Sequence, residues 1–266
     1  MSSTSLYAPI SVVIPCYKCQ EELTVALDSV LNQTLQPAEI LLIDDASEDG
    51  TLEVLRQLEV KQAPRVRVIA MENNGGPGLA RNAGWDAATQ PWLAFLDADD
   101  VWHPRKLEIQ WAWLVAHPEV VLCGHDSQFT NGCIDQPVNS QSTSVRLTLY
   151  KMLFSCRIPT RSVMLRRDLP FRFQGRNVTE DYLLWLQIIA AKLPAYRIEV
   201  CLAYSLRPDF SPGGYSGQLW RHEKRELTAL RLLRAERSFS WGAYIVFSGW
   251  SLLKFLRRVW IIRSAR

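Results

Sequence analysis

The sequence predicts an α/β fold in which a mostly parallel central sheet is flanked by helices and followed by a C-terminal helical appendage. Three observations lead there. Through the first hundred of the 266 residues, short β-branched apolar runs alternate with stretches whose apolar residues recur at helical spacing. Two of those runs end in aspartates, Asp44-Asp45 and Asp97-Ala98-Asp99-Asp100. The last stretch, 221–266, changes character: it holds 11 Lys and Arg against 3 Asp and Glu. Alternating strands and helices build a parallel sheet because each parallel connection needs a crossover, and a helix supplies it.

The elements follow in order. Residues 10–15 are a β-branched run ended by a proline, a buried strand. Residues 22–31 place Leu23, Ala26, Leu27, Val30 and Leu31 at helical spacing. Residues 39–45 form a second strand, 50–58 a second helix and 65–70 a third strand. After Asn73-Asn74-Gly75-Gly76-Pro77-Gly78 come a third helix, 79–88, and a fourth strand, 91–96. The second half is less regular. It holds a helix at 104–116, a short apolar run at 120–123 and a polar, turn-rich stretch at 131–143. A short strand at 162–165 precedes a helix at 179–192 with Thr179 as its N-cap. A strand at 197–206 is followed by a Pro/Gly/Ser loop at 208–217, a candidate lid, and by a basic helix at 219–237. Residues 9–210 thus read as one domain, with halves 9–100 and 101–210, and 215–266 as a basic amphipathic tail.

Composition narrows the classes. Hydrophobic residues make up 48% and charged residues 21%, which excludes a disordered chain. The total charge is +3, and with the tail at +8 the first 220 residues stand near −5. A mildly acidic body makes nucleic acid an unexpected partner, whereas the tail suits an anionic surface. Six scattered cysteines and an N-terminal stretch without a signal-peptide pattern predict free thiols in the cytoplasm. Cys16 and Cys19 have metal or redox spacing, but no second Cys/His pair completes a zinc site, and they read as two thiols near a strand end.

In parallel sheets ligands bind beyond the carboxyl ends of the strands. That rule brings Pro15-Cys16-Tyr17, Asp44-Asp45 and Asp97-Ala98-Asp99-Asp100 to one crevice. Three carboxylates within four residues repel one another unless a cation sits among them, and a hard divalent ion with oxygen ligands would serve. The same four residues also fit an acidic turn before a helix. Asp44 and Asp45, with Ser47 and Asp49, fit either contacts to a base or ribose or helix capping, with Asp49 the better cap. Residues 73–78 are neither a Walker loop nor a GxGxxG fingerprint. Their glycines permit tight turns and close approach. Arg81 and Asn82, one turn into the next helix, are within reach of a phosphate or base. Thr179-Glu180-Asp181 is explained locally as a capped, acidic helix start.

Together these segments resemble the family 2 inverting glycosyltransferases of the GT-A fold, a Rossmann-like nucleotide-diphospho-sugar transferase architecture. The match runs through Ser11-Val12-Val13-Ile14-Pro15-Cys16-Tyr17, Ile43-Asp44-Asp45-Ala46-Ser47-Glu48-Asp49-Gly50-Thr51, Asn74-Gly75-Gly76 with Ala80-Arg81-Asn82-Ala83-Gly84, Phe95-Leu96-Asp97-Ala98-Asp99-Asp100, and Glu180-Asp181 with Leu184-Trp185-Leu186. The resemblance implies that Pro15 and Tyr17 flank the donor base, that Asp44 or Asp45 binds base or ribose, and that Arg81 and Asp97 help hold the nucleotide. Asp97-Ala98-Asp99 would be the DxD motif, with Asp97 and Asp99 on a Mn2+ or Mg2+ ion. Asp181 would be the catalytic base of a single inverting displacement. The implied donor is a nucleotide-diphospho-sugar, most often a UDP-sugar, and the implied acceptor a glycan hydroxyl. Cys16, Lys18 and Cys19 depart from the usual pattern, and 171–175 matches the acceptor segment only loosely. The absence of a Gln-x-x-Arg-Trp motif implies addition of a single sugar.

Residues 238–253 are 16 residues without a charge, shorter than the roughly 20 that a membrane span needs. Ser248, Ser251, Lys254 and Arg258 lie on one helical stripe, and Trp241, Tyr244, Trp250, Phe255 and Trp260 add aromatics. This fits a helix lying on the anionic inner leaflet of the membrane, close to a lipid-linked acceptor. It also fits a helix packed on the domain or on a second subunit. Other functions remain at this stage. Asp97-Ala98-Asp99-Asp100-Val101 fits the first motif of a haloacid-dehalogenase-type phosphatase, although three strands precede it. A nucleotidyltransferase lacks its glycine-rich loop after Pro15. A non-catalytic nucleotide-sugar-binding protein would be expected to have lost Asp99 or Asp181.

Overall fold

A computed structural model describes residues 7–130, 138, 143–156, 158–207 and 219–264. The alternation read from the first hundred residues is present: β1 (Tyr7–Cys16), α1 (Leu23–Leu31), β2 (Gln36–Asp44), α2 (Thr51–Lys61), β3 (Val66–Ala70), α3 (Pro77–Ala87) and β4 (Trp92–Phe95). Then come β5 (Asp100–Trp102), α4 (Lys106–Ala116), β6 (Leu122–Phe129), β7 (Ser144–Arg146) and α5 (Leu149–Phe154). A 3-10 turn (Thr160–Ser162), β8 (Met164–Arg166), α6 (Glu180–Ala190), β9 (Ala195–Ser205), α7 (Leu219–Ala235) and α8 (Trp241–Ser264) complete the described chain.

All nine of these strands join one sheet in the order β3-β2-β1-β4-β8-β6-β9-β5, with β7 paired to β9. The pairs β3–β2, β2–β1 and β1–β4 are parallel, as the crossovers dictate. Beyond β4 the sheet is mixed: β8 is antiparallel to β4 and β6, β6–β9 is parallel, and β5 and β7 run antiparallel to β9.

The strands are buried on both faces, so their apolar residues sort by parity. Val13, Leu41, Ile43 and Phe95 join one core with α3, α5, α6 and α7, whereas Val12, Ile14, Ile40 and Leu42 join the other with α1, α2 and α4. On the first face Trp85, Phe95, Phe173 and Trp185 form an aromatic cluster with edge-on and tilted contacts of 5.2–6.2 Å. The Trp85 indole N–H donates to the Arg167 carbonyl at 2.8 Å. Gly84 sits where α3 crosses this sheet. A β-carbon there would overlap Val13 Cγ1 and lie 3.1 Å from its Cγ2, so the helix rests closer to β1 than any larger residue allows.

The C-terminal helices are packed on the domain. Ala229, Leu230 and Leu233 of α7 and Phe247 of α8 belong to the same core as α6. The Thr179 hydroxyl is buried and makes no cap hydrogen bond, although Thr179 does hold the N-cap position of α6. Asp49 does cap: its Oδ1 accepts the Thr51 N–H at 3.1 Å and the Thr51 hydroxyl at 2.7 Å. The lid at 208–217 and nearly all of 131–143 lie outside the described residues.

Candidate active site

A cleft of about 750 Å³ opens beyond the carboxyl ends of β1, β2 and β4. Pro15, Tyr17, Asp45, Arg81, Asp97, Asp99 and Asp181 all line it, so segments from six elements and loops converge as the strand-end rule requires. Asp44 stands outside the lining. It is buried at the end of β2, with Oδ2 accepting the Ser47 N–H at 3.2 Å.

Asp45 holds the glycine-rich loop. Its Oδ1 accepts the Gly75 N–H at 2.6 Å and its Oδ2 the Gly76 N–H at 2.8 Å. Gly76 has φ +86°, a conformation that favours glycine, and it hands the chain to Pro77 at the first position of α3. The loop's N–H groups therefore serve a carboxylate of the protein itself, and the turn fixes where α3 begins.

One turn into that helix, Arg81 is 4% exposed. Its Nη2 donates to Asp97 Oδ1 at 2.6 Å and its Nη1 to Glu180 Oε1 at 3.3 Å. The side chain lies over the Phe173 ring with the guanidinium carbon 5.4 Å from its centre. One buried cation thus ties the end of β4 to the start of α6. The flanking carboxylates raise its pKa further, against burial, so it stays charged. Asn82 turns the other way: its amide donates to the Phe173 carbonyl at 2.8 Å and its Oδ1 accepts the Phe173 N–H at 3.0 Å. Asn82 secures the 173 segment and is not directed at a ligand.

The three aspartates after β4 have separate environments. Asp97 is paired with Arg81. Asp99 faces the cleft, 3.7 Å from Arg207 Nε, and burial together with the charge of Asp97 pushes its carboxyl pKa up. Asp100 turns inward as the first residue of β5. It accepts from Arg161 Nη1 at 3.1 Å, and burial lifts its pKa to about 7 despite that arginine. Arg161 also donates to the Ser127 hydroxyl at 2.7 Å. Asp100 therefore belongs to the framework that joins β5 to the 160–162 turn.

Asp181, in the first turn of α6, is half-buried in the cleft wall. The Thr160 hydroxyl donates to its Oδ2 at 2.9 Å and the Tyr182 N–H to its Oδ1 at 2.7 Å. Glu180 beside it is buried against Arg81, with its pKa raised to about 7 by burial and by the charge of Asp181. Of the two, Asp181 presents a carboxylate to open space.

Several lining residues carry no motif in the sequence. Arg176 approaches Asp45 at 3.8 Å, and Arg207 pairs with Glu22 at 2.5 Å. Arg221, His222 and Arg225 enter from α7. Their i, i+1, i+4 spacing on a basic helix was the one available signal.

Among the described residues, no cluster of three or more His, Cys, Asp or Glu side chains forms a ready cage for a metal ion. Asp97 and Asp99 do fit the other way such ions are held: Mg2+-like ions are commonly bound by one or two carboxylates plus substrate phosphates.

A model described as Glycosyl transferase family 2 matches residues 11–169. The chain belongs to this family. As a family 2 glycosyltransferase it has solved structural counterparts. Staphylococcus aureus TarS 1-349 in complex with UDP-GlcNAc superposes with a TM-score of 0.69 at 20% identity, over 85% of this chain and 66% of that one. Mannosyltransferase PcManGT from Pyrobaculum calidifontis in complex with GDP-Man and Mn2+ gives 0.68 at 17%, over 98% and 76%. These likenesses show the GT-A fold. In sequence the chain is 32% identical over 182 residues, 68% of itself and 69% of the relative, to the Escherichia coli UDP-Glc:alpha-D-GlcNAc-diphosphoundecaprenol beta-1,3-glucosyltransferase WfgD. The phosphatase alternative falls with this membership.

Proposed function

We propose that the protein transfers a single sugar from a UDP-sugar or related nucleotide-diphospho-sugar to a hydroxyl of a lipid-linked glycan, at the cytoplasmic face of a membrane, with inversion at the anomeric carbon. The observation that carries this reading is the meeting of Asp181, Asp97 and Asp99 in one cleft, with Arg81 bridging the segments that bear them. The lipid-linked acceptor is supported by the name of the E. coli relative, whose acceptor is an alpha-D-GlcNAc-diphosphoundecaprenol.

In this reading the nucleoside lies toward Pro15, Tyr17 and Asp45, and the diphosphate toward Asp97, Asp99 and the arginines of the cleft. A Mn2+ or Mg2+ ion held by Asp97 and Asp99 would neutralise the departing diphosphate. Asp181 accepts the proton of the acceptor hydroxyl as its oxygen bonds to the anomeric carbon. The bond from that carbon to the diphosphate oxygen breaks, and the electron pair leaves with the nucleoside diphosphate. Thr160 holds Asp181 in place through its hydroxyl. Glu180, kept against Arg81, is not the base.

The test is a screen of UDP-, GDP- and dTDP-sugars for metal-dependent hydrolysis or transfer by the intact protein and by Asp99→Ala. The reading predicts turnover with one nucleotide class and loss of metal and donor binding in Asp99→Ala. Metal-independent turnover that Asp99→Ala leaves intact would overturn it.

A further inference from the structure

Helix α8 is built with its polar side inward. The stripe of Ser251, Lys254 and Arg258 faces α7, where Ser251 donates to Glu223 at 2.8 Å, Lys254 to Glu226 at 2.7 Å and Arg258 to Glu223 at 2.9 Å. Glu223 is fully buried beneath these contacts. The opposite side of the helix is apolar and open to solvent. Trp241, Ile245, Val246, Leu253, Leu256 and Trp260 are each 59–69% exposed. At 100° per residue these positions, with Gly242 and Gly249, fall on one continuous face. The face extends onto α5, where Tyr150 and Phe154 are exposed. Phe154 meets Trp250 in a tilted contact with ring centres 4.9 Å apart and accepts the Trp250 indole N–H at its carbonyl.

A continuous exposed apolar face of this kind marks an interaction site. Its charge identifies the partner. Residues 238–266 contain no Asp or Glu, and with Lys254 and Arg258 turned to Glu226 and Glu223, the described cation left on the open side of α8 is Arg257. Two copies meeting through this helix would bring like charges together, whereas anionic headgroups match them. Arg257 is exposed at the edge of the stripe, and Lys151 is exposed between Tyr150 and Phe154. No helix among the described residues is long and apolar enough to cross a bilayer, so a helix of this kind lies along the surface, about 36 Å in length. We propose that the outward face of α8, extended by Tyr150 and Phe154, seats the enzyme on an anionic lipid surface, while Lys254 and Arg258 serve as internal latches to α7. The seat does not depend on the reaction proposed above. It does place α7, which lines the cleft with Arg221, His222 and Arg225, directly behind the lipid-facing helix.

The test is co-sedimentation of the full chain with phosphatidylglycerol/phosphatidylcholine vesicles and with pure phosphatidylcholine vesicles, read together with light scattering after size exclusion. The wild type is expected to bind the anionic vesicles, more weakly at high salt. Leu253→Glu with Leu256→Glu, both on the exposed face, is expected to lower vesicle binding about tenfold or more while leaving the melting curve and donor hydrolysis unchanged. Arg257→Glu should lower it several-fold through charge alone. Vesicle binding is read without turnover, so a failed reaction assignment and a failed membrane seat give different results. Wild-type protein that binds neither vesicle would overturn the proposal. So would a double variant that binds as well as wild type, or a wild-type dimer that the double variant converts to monomer, since a second copy would then be the occupant.

Discussion

Arg81 meets Asp97 at 2.6 Å across the cleft floor, joining α3 to the end of β4. Its second contact, to Glu180, extends that link to the helix bearing Asp181. The cation is buried, so both carboxylates depend on it. Arg81→Ala would leave Asp97 and Glu180 uncompensated and is expected to destabilise the fold by about 3–5 kcal/mol, read as a fall in denaturation midpoint. Arg81→Lys keeps the charge but cannot form the fork, and should retain part of the stability with donor turnover still impaired.

Asp45 holds Gly75 and Gly76 with one oxygen each. Asp45→Asn replaces one acceptor with an N–H2 that faces an N–H. A cost of about 1–3 kcal/mol is expected, with a rise in KM for the donor larger than the fall in kcat, because the loop sets the shape of the binding end. Steady-state kinetics with varied donor would check the split.

Gly84→Ala tests the close contact of α3 on β1. The added methyl must displace Val13 or the helix, and a loss of about 1–3 kcal/mol is expected. The matching relief, Val13→Ala in the Gly84→Ala background, should recover part of it. Additive losses in the double variant would contradict the contact.

His125 is fully buried, and burial, aided by the nearby Lys106 and Arg161 charges, lowers its pKa from 6.5 to about 3. A base with a depressed pKa favours the folded state above its unfolded pKa. That contribution disappears as pH falls from 6.5 toward 3, at up to about 1.4 kcal/mol per pH unit. Thermal stability should therefore decline across this window more steeply in wild type than in His125→Gln. Parallel curves for the two proteins would contradict the assignment.

The first half, residues 9–100, was legible in the sequence because its signals are local. Parity along each strand and helical spacing between strands survive without tertiary context, and Asp45, Arg81 and Asp97 could be placed from them. The missed pieces are those set by distant contacts. β5 is only Asp100–Trp102 and exists through its pairing with β9, a hundred residues away, so its sequence reads as the tail of the aspartate motif. For the same reason Asp100 resisted a role: its partner, Arg161, comes from the 160–162 turn. The cationic cleft residues Arg176 and Arg207 carry no local pattern. In the tail the polar stripe was correctly periodic, yet periodicity alone says nothing about which side faces the protein. Glu223 and Glu226 on α7 decide that, by drawing Lys254 and Arg258 inward.

In the proposed reaction Asp181 is the base while Asp97 and Asp99 serve the donor. The most direct measurement is Asp181→Asn, assayed side by side for donor binding by calorimetry and for sugar transfer with Mn2+. Donor affinity within about threefold of wild type is expected, with transfer reduced by about 10²–10⁴-fold. Transfer at the wild-type rate in Asp181→Asn would contradict Asp181 as the base.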